Sequence, residues 1–310
     1  MRETHCPAAF ARTAQTPQRA LGRLFVACVI LCAGQAARAQ FSLLPFAGNK
    51  DPNQATSSRS ARQEAVKAIP WNRLDKKATE KINSVIDDIT IYRRLAPQTI
   101  ECDPDLYLHL VENPDLVVRM WETLGISSVA LEREPGGTFL TNDGEGTKGR
   151  VELLHASAGT HLVYATGRYE GPMFHRAVRG QSVLLLRSEY LDTDGEAPRI
   201  RCTLDVFVRL EHAGVEMLAK TFQPLVGKVA DHNFKETTAF MGSLSYTAAS
   251  NPPKVDRITS RLERVPPLAK AHLVELCDRI AVEATLARND AASTRGGREV
   301  RVSDRTTVRE

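Results

Sequence analysis

Between residues 127 and 210 apolar side chains recur at every second position in runs separated by turn residues, and on either side of that stretch they recur every third or fourth. The first pattern predicts strands and the second helices, because side chains alternate across a strand but return to one helix face after about 3.6 residues. Strands are predicted at 127–134, 137–141, 149–157, 160–169, 181–190 and 199–210. The separators are Pro135-Gly136, Asn142 to Gly146, Ala158-Gly159, the connection from Gly171 to Gly180, and Thr193-Asp194-Gly195.

Upstream of the sheet, Leu74, Ala78, Ile82, Val85, Ile86 and Ile89 fall at helical spacing and predict an amphipathic helix over 73–88. Thr90-Ile91-Tyr92 and Thr99-Ile100 then read as extended. Asp103-Pro104 and Asn113-Pro114 each set an N-cap residue before a proline at the first helical position, which predicts two short helices. The stripe Val117, Met120, Trp121 and Leu124 gives the second a core-facing side, and Gly125 closes it. Downstream, Leu218, Phe222, Leu225, Val229, Phe240 and Leu244 predict a helix over 215–247 that covers the sheet, with a kink or break at Pro224. Shorter helices follow over 255–265 and 268–288. Residues 40–70 and 289–310 lack a period and read as a flexible leader and a disordered tail, which leaves 71–250 as an α+β domain and 251–288 as C-terminal helices.

A turn at Ala158-Gly159 pairs His155 with Leu162 and sets Val151, Leu153 and His155 on the same face as Leu162, Tyr164 and Thr166. That set is bulkier and more apolar than the opposite one, which holds Glu152 and His161, so it is assigned inward; Val163 and Ala165 then point out. In the last strand Ile200, Cys202, Leu204, Val206, Val208 and Leu210 alternate with mostly polar residues and form a core face, in parity with Leu184, Leu186 and Tyr190 on the neighbouring strand.

The first 39 residues change the reading of charge and compartment. Arg12, Arg19 and Arg23 precede the apolar run Leu24–Ala33, and Ala37-Arg38-Ala39 supplies the small residues of a signal-peptidase site, so cleavage after Ala39 is expected. The run has ten residues, about half of what a bilayer span needs; an N-terminal anchor is the alternative. Export by the general secretory route, to a periplasm or the exterior, follows. Removing this segment takes five arginines and one glutamate from a total of 41 basic and 37 acidic residues, so the mature chain is formally neutral. The overall +4 therefore belongs to the signal, and neither a nucleic-acid partner nor an anionic surface is indicated. Only Cys102, Cys202 and Cys277 remain, too few and too far apart for a disulfide framework, and they read as buried or free thiols.

Most constellations that would force an enzymatic reading are absent. Gly144 to Gly149 lacks the Walker spacing and joins two predicted strands, which makes it a hairpin loop; there is no H-E-x-x-H, C-x-x-C or G-x-S-x-G. Asp192, Asp194 and Glu196 do not complete a calcium loop. No cofactor, catalytic residue or metal ligand is implied, and export argues against dependence on cytoplasmic ATP or nicotinamide pools.

The order of an extended segment, two short helices, a six-strand antiparallel meander and a long closing helix resembles the START-like, or helix-grip, superfamily of lipid-transfer domains and polyketide cyclases, over about residues 90–248. It rests on element order, since that superfamily carries no universal motif. The resemblance implies a helix-grip fold of six to seven strands around a long C-terminal helix, with a hydrophobic ligand or lipid held between the inward strand face and residues 215–247. The candidate lining is His155, Tyr164, Leu184, Leu204, Val206, Phe222, Val229 and His232, with the imidazoles and the Tyr164 hydroxyl orienting a ligand or moving a proton. The alternatives are a structural or interaction protein with a filled core, whose partner the sequence does not name, and a cyclase- or hydrolase-like enzyme.

Overall fold

Alternation of apolar and polar residues produces one eight-stranded antiparallel sheet, described together with its helices in a computed structural model. The structure describes residues 53–144, 146–170, 177–192, 197–211 and 215–303; the expected signal, the early leader, Asp194 and Glu196 lie outside them. The strands are β1 (Ile91–Arg94), β2 (Gln98–Glu101), β3 (Ala130–Arg133), β4 (Thr138–Asn142), β5 (Thr147–Ser157), β6 (Thr160–Tyr169), β7 (Val178–Leu191) and β8 (Arg199–Glu211). Their order is β1-β8-β7-β6-β5-β4-β3, and β2 pairs with the start of β8 beside β1. The helices are α1 (Arg59–Lys67), α2 (Lys76–Ile86), α3 (Pro104–Glu112), α4 (Pro114–Thr123), α5 (Val215–Ser250), α6 (Pro252–Ser260) and α7 (Pro267–Ser303). This is an α+β helix-grip architecture, with α5 gripped by the inner face of the sheet.

Local chemistry starts and stops these elements. Asp103 caps α3 by accepting from the Leu106 amide at 2.9 Å. Asn113 works differently from its predicted role: it makes no N-cap bond to α4, and its amide instead donates to the His109 carbonyl at the end of α3 (2.9 Å). Gly125 takes φ +69° just past α4, while Leu124, expected on the buried stripe, is 43% exposed. Helix α5 runs through Pro224 as one helix. It comes close to β2 at Gly242, where a methyl group would stand 3.0 Å from the Glu101 carbonyl oxygen.

Inside the sheet, α3, α4 and the C-terminal helices close one core with α5, built from residues such as Leu106, Met120, Val206, Phe234, Met241, Leu273 and Cys277. Helices α6 and α7 therefore pack on their own chain: Arg279 of α7 donates to Asp103 (2.9 Å) and Asp105 (3.1 Å) of α3. Helix α7 also continues past Asn289 to Ser303, beyond the point at which a disordered tail was expected; Ala281, Ala284, Ala287, Ala291 and Ala292 favour that conformation.

The outer face is buried as well. Helices α1 and α2 cover it, joining Ala61, Ala65, Ile69, Ile82 and Val85 to Tyr92, Leu162, Tyr164, Val183, Leu185 and Phe207 in a second core. Helix α1 lies within the stretch read as a leader; its signal is short, with Ala61, Ala65 and Ile69 spaced by four and Ser58 as N-cap. Beneath it, the buried Asp205 carboxylate accepts from Tyr92 Oη (2.8 Å), Arg94 Nε (2.8 Å) and Arg187 Nη2 (2.9 Å), and Arg94 reaches Glu64 of α1 at 3.2 Å. Burial and the neighbouring carboxylate push the Tyr92 hydroxyl above its ordinary pKa.

One local irregularity reverses the register expected for the β5–β6 hairpin. His155 does pair with Leu162, but Leu153 pairs with Val163, and the ladder shifts by one residue between them. A bulge at Leu154 thus returns Val151 and Leu153 to the inner face beside Ala165 and Val163, while Leu162 and Tyr164 turn outward under α1 and α2. On β7 and β8 the expected parity holds: Leu184 faces Val206, Leu186 faces Leu204 and Tyr190 faces Ile200.

Candidate functional site

Four strands and two helices leave a cavity of about 100 Å³ between the sheet and α5. Leu153 of β5, Val163 and His161 of β6, Leu184 and Leu186 of β7 and Leu204 of β8 form its floor, and Tyr107 and Val111 of α3 with Phe234, Thr237, Thr238 and Met241 of α5 form its roof and side. The floor follows from alternation, since 161/163, 184/186 and 204 share the inner face through the pairs Val163–Leu184, His161–Leu186 and Leu186–Leu204. The roof follows from helical spacing: Phe234, Thr237, Thr238 and Met241 recur at three and four on α5.

The polar atoms of this wall divide into satisfied and unsatisfied groups. Thr237 and Thr238 donate to carbonyls of their own helix, Asn233 (3.1 Å) and Phe234 (3.0 Å). Tyr107 Oη accepts from the Cys202 thiol at 3.2 Å and shares a hydrogen bond with Ser188 Oγ at 2.7 Å. Burial pushes the Cys202 thiol up to about 11, and Cys102 and Cys277 up to about 12, so the three free thiols are protonated core groups.

His161 has no such partners. The residue is 1% exposed and neither ring nitrogen makes a hydrogen bond. The nearest opposite charge, Glu112 Oε1 at the C-terminal end of α3, stands 3.9 Å from Nε2, beyond hydrogen-bonding distance. Burial, reinforced by nearby His155, holds the imidazole down at about 4, so it is neutral near pH 7 and carries one unmet donor and one unmet acceptor. Each such group costs about 1–3 kcal/mol when buried without a partner. Asn233 is also buried with an unpartnered amide, one turn along α5, but it does not line the cavity.

The residues expected to line the site separate. Leu184 and Leu204 are on the floor. Val206 is buried in the inner core next to Leu184 and outside the lining. Tyr164 lies on the opposite face, 5.8 Å from Lys81 of α2, and His155 pairs with outward-facing Leu162; the bulge at Leu154 accounts for both. Val229 is half-buried and His232 exposed on α5, and the Phe222 side chain lies outside the described residues. The imidazole in the cavity is thus His161, which the simple register had placed outside. Phe234 and Met241 were missing from the expected stripe, although their spacing with Ala230, Leu244 and Ala248 carries the signal, whereas His161 required the bulge.

Among the described residues no group of three or more His, Cys, Asp or Glu is placed to hold a metal ion, and no helix is long and apolar enough to cross a membrane. No family model and no curated protein matches the chain. Similar solved structures include a conserved protein from Geobacillus kaustophilus (10% identity, 46% of this chain and 92% of that one, TM-score 0.32). Others are the Zhui aromatase/cyclase from Streptomyces sp. R1128 (12%, 51% and 98%, TM-score 0.31) and an uncharacterized protein from Rhizobium leguminosarum (12%, 48% and 95%, TM-score 0.31). The fold assignment stands on the sheet order and on the helix across its inner face.

Proposed function

We propose that this protein is a START-like binding protein that holds a small hydrophobic molecule between its sheet and α5, without transforming it. The observation that carries this reading is a hollow walled by Leu153, Val163, Leu184, Leu186, Leu204, Phe234 and Met241 in which a fully buried imidazole is left without a partner. An apolar enclosure with few orienting polar groups is the usual composition of a ligand site. At about 100 Å³ the hollow favours a molecule of about one ring over a lipid chain, since drug-sized ligands occupy roughly 300–1,000 Å³. The reading includes export, with a mature N-terminus at Gln40; the apolar run 24–33 and Ala37-Arg38-Ala39 support it.

Apolar extraction of the purified full chain, followed by mass spectrometry, tests the binding claim when run beside Leu204→Phe, which fills the floor. A recurrent small molecule in the unmodified protein that is missing from the variant is the expected result. Absence of any such molecule, with no rise in Tm on adding toluene, overturns the reading.

A further inference from the structure

We infer that the molecule held in this cavity is neutral, of about one ring in size, and bears a hydroxyl group that hydrogen-bonds His161. This inference rests on the proposed binding function and adds the chemistry of the occupant. The walls supply no Lys, Arg, Asp or Glu, and the nearest charge, Glu112 at 3.9 Å from His161 Nε2, is partly in water; a carboxylate would lose its hydration and meet a like charge, and an ammonium group would lose its hydration for one solvent-screened carboxylate. A pure hydrocarbon would fill the space but leave the imidazole as unsatisfied as it is now. A hydroxyl both donates and accepts and so matches either neutral tautomer of His161. The other polar groups are not available to it to the same degree: Thr237 and Thr238 spend their hydrogens on α5 carbonyls, and Tyr107 is engaged by Cys202 and Ser188. A site built to hydrogen-bond a hydroxyl discriminates strongly against an analogue that lacks one, because its own buried polar group is then stranded.

Calorimetric titration of the full chain with phenol, toluene and benzoate reads this directly. Phenol is expected to bind at least tenfold more tightly than toluene, with benzoate the weakest. In His161→Phe the phenol affinity falls at least tenfold and the toluene affinity changes less than threefold, while His161→Gln keeps part of the phenol preference. Independently of any variant, phenol moves the ring nitrogen resonances of His161 in the unmodified protein. Toluene binding as tightly as phenol, benzoate binding more tightly, a phenol preference that survives His161→Phe, or unmoved His161 resonances overturns the inference and leaves the cavity reading standing. Failure of all three probes to bind removes both.

Discussion

On the outer face of the sheet Asp205 is fully buried and its carboxylate accepts from Tyr92, Arg94 and Arg187; on the inner face His161 is buried almost as deeply and makes no hydrogen bond. Both residues sit on neighbouring parts of one sheet, and both are covered by helices. What separates them is whether the covering element completes the hydrogen bonding. Helix α1 brings Glu64 to Arg94 and finishes a network that anchors it, whereas α5 brings Phe234, Thr237, Thr238 and Met241 over His161 and stops short of filling the space. A buried charge with its complement met is scaffold. A buried imidazole beside a hollow, with its complement unmet, is the feature on which the binding proposal rests.

The contrast is broken most severely at Asp205. Asp205→Ala takes the shared buried acceptor from Tyr92, Arg94 and Arg187, leaving the two guanidinium groups only Glu64 and the Ala61 carbonyl, and is expected to cost about 3–5 kcal/mol in denaturant unfolding; a loss under about 1 kcal/mol would show the network to be ornamental. A second effect comes from acid. The unfolded imidazole titrates near about 6.5, while burial with His155 nearby holds His161 at about 4 in the folded protein. The folded state therefore binds fewer protons in that window, and stability present above pH 6.5 is lost as pH falls from 6.5 toward 4, by up to about 1.4 kcal/mol per unit. The measurement is the difference between the unmodified protein and His161→Phe, in which this component vanishes. The smallest effect is at neutral pH: with no ligand, His161→Phe removes an unsatisfied group and is expected to gain about 1 kcal/mol, seen as a higher Tm. The corresponding change on the outer face has the opposite sign.

Much of the sheet was legible because β7 and β8 alternate cleanly on their inner side. Ile200, Cys202, Leu204, Val206, Val208 and Leu210 announced both the strand and its buried face, and the structure keeps them there. The two short helices were legible from Asp103-Pro104 and Asn113-Pro114. The hairpin of β5 and β6 was not, for two reasons. Leu162 and Tyr164 are as apolar as Val163 and Ala165, because the second face is buried under α1 and α2, and with both faces dry the alternation carries no sign. The extra residue at Leu154 then moved the parity by one, and that single shift exchanged His155 and Tyr164 for His161 at the site.

By itself the sequence determined most of the strands and helices, though not α1 or the last turns of α7, since those follow from local periodicity and capping that each stretch carries alone. Only the tertiary structure decided which face of β6 looks into the molecule, that α1 closes the outer face, and that a hollow remains beneath α5. These depend on pairings between residues far apart in the chain, where one bulge or one covering helix changes the outcome without leaving a local trace.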